Sequence, residues 1–275
     1  MRGENSRLSD RESRDALAPK LRNIGEDAWQ VSNELFVITD LLDRNIRIER
    51  AFTDTSRDLE DKIALVHNLF ESQVHPLTLE ILCDLVSRKW SRVRDIANGV
   101  EDFAVDAIMY YADSIGETLQ VSIELAQLHS AFLQLSVVRS DLSNMNAKPE
   151  ARVKLLHGVL EGKNLNRITM RLAEHVAENP RKRRYLASIQ WLVNKFSRHM
   201  GESMITVTTA VELSEDQIKR LLDVYSKKLG RPVHINAVVD PSVIGGMRIQ
   251  VGNEVTDNTV IAQLHQLQRA ALASA

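Results

Sequence analysis

The stretch from Val233 to Gly252, VHINAVVDPSVIGGMRIQVG, constrains the fold more tightly than any other part of the chain. Val233, Ile235 and Ala237 alternate with His234 and Asn236, the period of a half-buried strand. Met247, Ile249 and Val251 alternate with Arg248 and Gln250, which predicts a second strand. Asp240-Pro241-Ser242 supplies turn chemistry between them, because proline fixes φ and aspartate bonds the local backbone. Gly245-Gly246 predicts a bulge or a close backbone approach, and Gly252-Asn253 a tight hairpin into Glu254-Val255-Thr256. The stretch holds no nucleophile, metal cluster or phosphate loop. It specifies a shape, which points to a mechanical or adhesive role.

The surrounding residues read as a small α/β domain. Met204–Ala210 alternates as a strand. Ser214 with Gln217 forms a capping box before the stripe Ile218, Leu221, Leu222, Tyr225 and Leu229, and Gly230 is placed to end that helix. A last helix over about 258–273 puts Ile261, Leu264, Leu267 and Ala271 on one face. The expected order over 204–275 is β-α-β-β-α.

Residues 1–203 read as almost wholly helical. Leu21, Ile24, Ala28, Val31, Leu35, Ile38 and Leu42 follow helical spacing, as do Ile63, Val66, Leu69 and Phe70, and Leu186, Ile189, Leu192, Val193 and Phe196. These are narrow apolar stripes, suited to helices sharing a bundle core. The chain also repeats itself. Val31-Ser32-Asn33-Glu34-Leu35 corresponds to Val121-Ser122-Ile123-Glu124-Leu125, a shift of 90 residues (121 minus 31). The same shift carries 62–71 onto 152–161, with His67 on His157. Ile24-Gly25-Glu26 recurs as Ile115-Gly116-Glu117 and Met200-Gly201-Glu202, punctuation between units. The fold class is mainly α, with helical bundles at 1–100 and 101–203 and an α/β domain at 204–275.

Composition narrows the function. With 275 residues, 44% hydrophobic and 26% charged, the chain can bury a sizeable core, and its net charge of −2 favours neither nucleic acid nor an anionic membrane. Cys83 is the one cysteine, so no disulfide forms within the chain, which suits a reducing compartment. No apolar run reaches the roughly 18 residues of a membrane span. The histidines form no HExxH or Cys/His cluster, and no GxGxxG or GxxxxGK[ST] occurs, so no catalytic residue, metal or cofactor is expected. Arg181-Lys182-Arg183-Arg184 is a dense basic run without aromatic interleaving apart from Tyr185; it reads as a helix start or a contact to an acidic partner. Trp29, Trp90 and Trp191 sit in helical stripes as core residues, with an interface anchor open for one of them.

A hydrophobic strand followed by Asp240, Pro241, Val243, Ile244, Gly245-Gly246, an alternating strand and Gly252 resembles the C-terminal signature of the ATP synthase delta subunit, whose mitochondrial relative is the oligomycin-sensitivity-conferring protein. Asp257 falls in the segment that opens the family's last helix, with Asn258 where the family has glycine; asparagine also enters left-handed turns. Ala177-Glu178-Asn179-Pro180-Arg181 resembles a step between helices of the family's helical domain. The family carries one such six-helix domain, so this chain resembles a longer form with that domain duplicated.

The resemblance implies a non-catalytic peripheral-stalk subunit. It would link the catalytic head to the b-type stalk subunit on the cytoplasmic face of the membrane and resist rotation. The helical part would bind alpha-subunit N-terminal tails and the tail domain the b-type subunit, with no nucleic acid and with membrane association only through the complex. If the family's groove between first and fifth helices carries over, its candidates are Leu17, Leu21, Ile24, Val93, Ile96 and Val100 in the first copy. In the second they are Phe103, Ile108, Tyr111, Leu186, Ile189 and Leu192. Which copy docks on the head stays open. The alternative reading is a free-standing helical adaptor; an enzyme with a site between domains ranks third.

Overall fold

The computed structural model describes residues 3–181 and 183–264. The chain forms two compact units, residues 1–117 and 118–275. The first holds α1 (Glu4–Asn23), α2 (Asp27–Arg44), α3 (Ile46–Thr53), α4 (Leu59–Phe70), α5 (Pro76–Ser87) and α6 (Asp95–Ser114). The second holds α7 (Thr118–Leu133), α8 (Ser136–Leu142), α9 (Pro149–Leu160), α10 (Arg167–Glu178) and α11 (Tyr185–Met200). The mixed segment follows: β1 (Ser203–Thr209), α12 (Glu215–Leu229), β2 (Val233–Val239), β3 (Met247–Val251) and β4 (Glu254–Asp257).

In the first unit α2 packs along α6. Ala28, Val31, Leu35 and Leu42 supply the buried stripe of α2 that the periodicity predicts. The Ser32 hydroxyl donates to the Ala104 carbonyl at 2.8 Å, and the Trp29 and Tyr111 rings lie 5.4 Å apart. Trp90 departs from its expected helical place. It stands in the connection between α5 and α6, where its Nε1 donates to the Leu85 carbonyl at 2.8 Å. Its ring covers Gly99: a Cβ there would lie 2.8 Å from Trp90 Cη2.

The internal repeat is structural. Helices α2 to α6 reappear in order as α7 to α11, and the pairwise packing is the same: α2 on α6 and α7 on α11, α4 on α5 and α9 on α10. His67 and His157 hold the same position of α4 and α9. The repeat extends to a buried polar device. The Glu34 carboxylate accepts the His75 N–H at 2.9 Å and the Thr78 hydroxyl at 2.6 Å, and Glu124 accepts the Asn166 N–H at 2.9 Å. His75 and Asn166 in turn cap α5 and α10, accepting from Leu77 N–H and Ile168 N–H. Donors at helix starts have no partner within the helix, so each copy fixes its fifth helix by the same means.

The expected boundary between residues 100 and 101 falls inside α6, which is buried from Asp95 to Ala112 along most of its length. The repeated Gly-Glu steps mark the true ends. Gly25, Gly116 and Gly201 have φ of +60°, +72° and +69° and close α1, α6 and α11. Counted from those steps, α6 closes the first copy, and α7 to α11 of the second answer to α2 to α6.

The second unit adds a four-stranded sheet in the order β2-β1-β3-β4. β1 pairs parallel with β2 through the α12 crossover and antiparallel with β3, and β3 pairs antiparallel with β4. β4 is a strand beyond the expected β-α-β-β-α order: the Gly252-Asn253 hairpin continues far enough to form its own ladder. The last helix opens at residues 260–264, and the rest of its expected range lies outside the described residues. One sheet face is apolar. Ile205, Val207, Val233 and Ile249 pack there under Leu221, Leu222, Tyr225 and Leu229 of α12. The capping box of Ser214 with Gln217 starts that helix and Gly230 ends it. The opposite face carries Thr206, Asn236 and Gln250 in register and lies against α7 and α11.

Leu35→Ala and Leu125→Ala remove equivalent, fully buried side chains, and each is expected to cost about 2–5 kcal/mol. Hydrogen exchange resolved along the chain should show L35A weakening residues 1–117 and L125A weakening 118–275. Equal loss of protection across both units from either substitution would contradict the division.

Candidate functional site

Two regions stand out from the expected functions, the helical groove and the signature turn. In the first unit α1 is seated on α5 and α6. Its N-terminal half is held by polar groups: Ser6 Oγ donates to Asp95 at 2.7 Å, Ser9 Oγ to the Lys89 carbonyl at 2.6 Å, and Arg14 pairs with Asp102 and Asp106 at 3.4 and 3.2 Å. Leu17 and Leu21 anchor the other half and are buried. Lys20 pairs with Glu80 and Arg88 with Glu12 across the α1–α5 seam.

Of the groove candidates, Leu17, Leu21, Ile96, Val100, Phe103, Ile108, Tyr111, Ile189 and Leu192 are buried in their own bundles. Ile24, Val93 and Leu186 are half-buried. Phe103, Ile108 and Tyr111 belong to α6 in the first unit, while Leu186, Ile189 and Leu192 belong to α11 in the second. The candidates at 93–100 and 186–192 stand on or beside the sixth helix of each copy, not the fifth.

The signature residues form one connected backbone device. Asp240 Oδ1 accepts both the N–H and the hydroxyl of Ser242, at 3.0 and 2.7 Å, and the Asp240 carbonyl accepts the Val243 N–H. Asp257 repeats the arrangement on Thr259, at 3.0 and 2.7 Å, and the Thr259 hydroxyl then accepts the Ala262 N–H. Donation from Ser242 and from Thr259 holds both aspartates below their usual pKa. Gly246 has φ +76°, and a Cβ there would press on the Asn258 carbonyl oxygen and lie 3.0 Å from Thr259 Cα. The expected close approach is thus the passage of the 258–259 backbone over Gly246. Val243 is buried, and Pro241 follows Asp240 in the turn. Asn258 does not use the left-handed region; its N–H donates to the Met247 carbonyl at 3.0 Å.

Sequence reasoning missed what the polar sheet face does. Asn236 Nδ2 donates to Ser130 Oγ of α7 at 3.1 Å, and Gln250 Nε2 to Gln190 Oε1 of α11 at 2.8 Å. Gln134 at the end of α7 donates to Asp240 at 2.8 Å, and Asn194 of α11 to Asn253 at 3.3 Å. Strand alternation predicts polar residues on this face but not that helices cover it. Among the described residues no group of three or more His, Cys, Asp or Glu is arranged to hold a metal ion. Of the basic run, Arg184 is the N-cap residue of α11 and Arg183 lies 5.0 Å from the Trp191 ring centre.

The fold defines a class: a repeated helical bundle carrying a small α/β tail closed by the Asp-Pro and Gly-Gly turns. The family model of the ATP synthase delta (OSCP) subunit matches residues 105–271. The chain is 65% identical over 269 residues to an ATP synthase subunit delta of Bifidobacterium longum subsp. infantis, covering 98% of this chain and 97% of that one. It is 64% identical over 275 residues to that of Bifidobacterium adolescentis, covering 100% of each. It is 32% identical over 259 residues to that of Streptomyces avermitilis, covering 94% and 93%. The chain belongs to the ATP synthase delta (OSCP) subunit family, a peripheral-stalk component of a membrane-bound complex. The free-standing adaptor is set aside. Among the described residues no single helix is long and apolar enough to cross a membrane.

Gly246→Val should destabilise the second unit by about 1–3 kcal/mol, because it forces both a strained φ and a backbone shift. A thermal melt of the full chain checks this; an unchanged melt would remove the role assigned to the glycine. Acid should act on Asp257. Its folded pKa is depressed, so its charged form stabilises the fold above the unfolded value and the effect is lost as pH falls through the lower folded value. The melting difference between the parent and Asp257→Asn should therefore be constant near neutrality and close only below the ordinary value of 3.8. A difference independent of pH would contradict it.

Proposed function

We propose that this chain is a non-catalytic linker on the cytoplasmic face of the membrane, holding the catalytic head to the b-type stalk subunit against rotation. The helical part receives the N-terminal tails of alpha subunits, and the tail domain receives the C-terminal end of the b-type subunit. Three functional parts follow: two helical copies divided at the Gly116 step, and a tail domain over 204–275. The single observation that carries the reading is the family match over residues 105–271, which includes helices α7 to α11 and the whole β1–β4 segment.

The architecture supports a mechanical role. The sheet has its own apolar core with α12, and polar bonds join it to α7 and α11. Hydrogen bonds are directional, so such a joint fixes orientation better than an apolar contact of equal area, which is non-directional. A tether that transmits torque needs that property and needs no reactive group. By the same reading the chain turns over no nucleotide.

The test is simultaneous capture. The full chain, immobilised, is offered a synthetic alpha N-terminal peptide and a C-terminal fragment of the b-type subunit. Both should bind together without competing. Failure to bind either, or mutual exclusion, would count against the linker.

A further inference from the structure

A groove of about 580 Å3 runs along one face of α11, lined at helical spacing by Ala187, Gln190, Trp191, Asn194, Ser197 and Arg198. At 1.5 Å per residue the lined face from 187 to 198 runs ~16 Å. The facing wall is the start of β1 at Ser203 and Met204, Arg231, and the β3–β4 hairpin at Gly252-Asn253. The hairpin wall is fixed by a chain of side-chain amides: Gln250 donates to Gln190, Gln190 to Asn194, and Asn194 to Asn253.

The groove is electropositive: no carboxylate is among its described lining residues. Arg231 is exposed, and among the described residues neither it nor Arg198 is paired with an acid. The Arg198 Nε donates to the Asn194 carbonyl at 3.1 Å, which holds the guanidinium along the helix. Glu202, the acid next along the chain, is engaged by His234. Arg183 and Lys195 lie 5.0 and 5.2 Å from the Trp191 ring centre. Guanidinium groups without an acidic partner bind carboxylates through paired, charge-assisted hydrogen bonds.

We propose that this groove docks an acidic peptide segment of a partner subunit. Carboxylates take the guanidinium forks of Arg198 and Arg231. The length of the lined helix face matches a segment of about five extended residues and exceeds what a single small anion spans. The inference rests on the peripheral-stalk reading and adds to it a specific contact surface.

The experiment places a photoreactive p-benzoylphenylalanine at Ala187, which is exposed on the groove rim, and irradiates ATP synthase assembled with that chain. The crosslinked segment is read by mass spectrometry. Co-purification of the chain with the complex is scored first, since its failure would sink the peripheral-stalk reading and not the groove alone. With assembly intact, a crosslink to a segment rich in Asp and Glu supports the proposal. The double substitution Arg198→Gln with Arg231→Gln should then lower the yield about tenfold or more, as loss of charge-assisted bonds requires, while the melting temperature stays at the parent value. An intact complex with no crosslink, a crosslink to a segment without acids, or a yield indifferent to the double substitution would overturn it.

Discussion

The joint between the sheet's polar face and helices α7 and α11 is the constraint on which the second unit depends. Asn236 to Ser130 and Gln250 to Gln190 join different layers, and each side chain comes from a strand position whose neighbours in sequence face the apolar core under α12. Such bonds contribute only about 1 kcal/mol each, yet leaving a buried partner unpaired costs about 1–3 kcal/mol. The joint is therefore selective more than strong. It admits one register of sheet on helices and penalises its neighbours. The signature turn feeds into the same joint, because Asp240 is held by Gln134 while it shapes its own loop.

Duplication gives the helical part its economy. Glu34 and Glu124 fix the fifth helix of each copy by the same carboxylate-to-backbone bond, and each is tied to a residue that caps that helix. A carboxylate that meets backbone donors at a helix start also meets the positive end of the helix dipole. In both copies the corresponding helices pack on each other, α2 on α6 and α7 on α11. The first copy has a true α1, seated by serines and by Arg14 among aspartates where a bundle would ordinarily place leucines.

Much of this was legible in the sequence. β2 runs over Val233–Val239, the range given by its alternation, and the capping box at Ser214 and the stop at Gly230 are where turn and cap chemistry put them. The repeat was visible because core positions such as Val31 and Val121 answer to the same packing. The boundaries were less legible. The repeated Gly-Glu steps held the right answer at Gly116, but a round division at residue 100 cut through α6, whose inward residues carry no break. The groove candidates came from apolar stripes, and a stripe cannot tell a core from a docking surface; most of those side chains are core. The polar joint left no signal at all, since Asn236 and Gln250 look like solvent-facing residues of ordinary strands.

The central claim is that this subunit resists rotation between head and membrane sector. The most direct measurement compares ATP synthase vesicles prepared with and without the chain. With it, ATP hydrolysis should drive proton uptake. Without it, the head should still hydrolyse ATP while proton uptake collapses, and adding the purified chain back should restore the coupling. Undiminished proton pumping in vesicles that lack the chain would contradict the account.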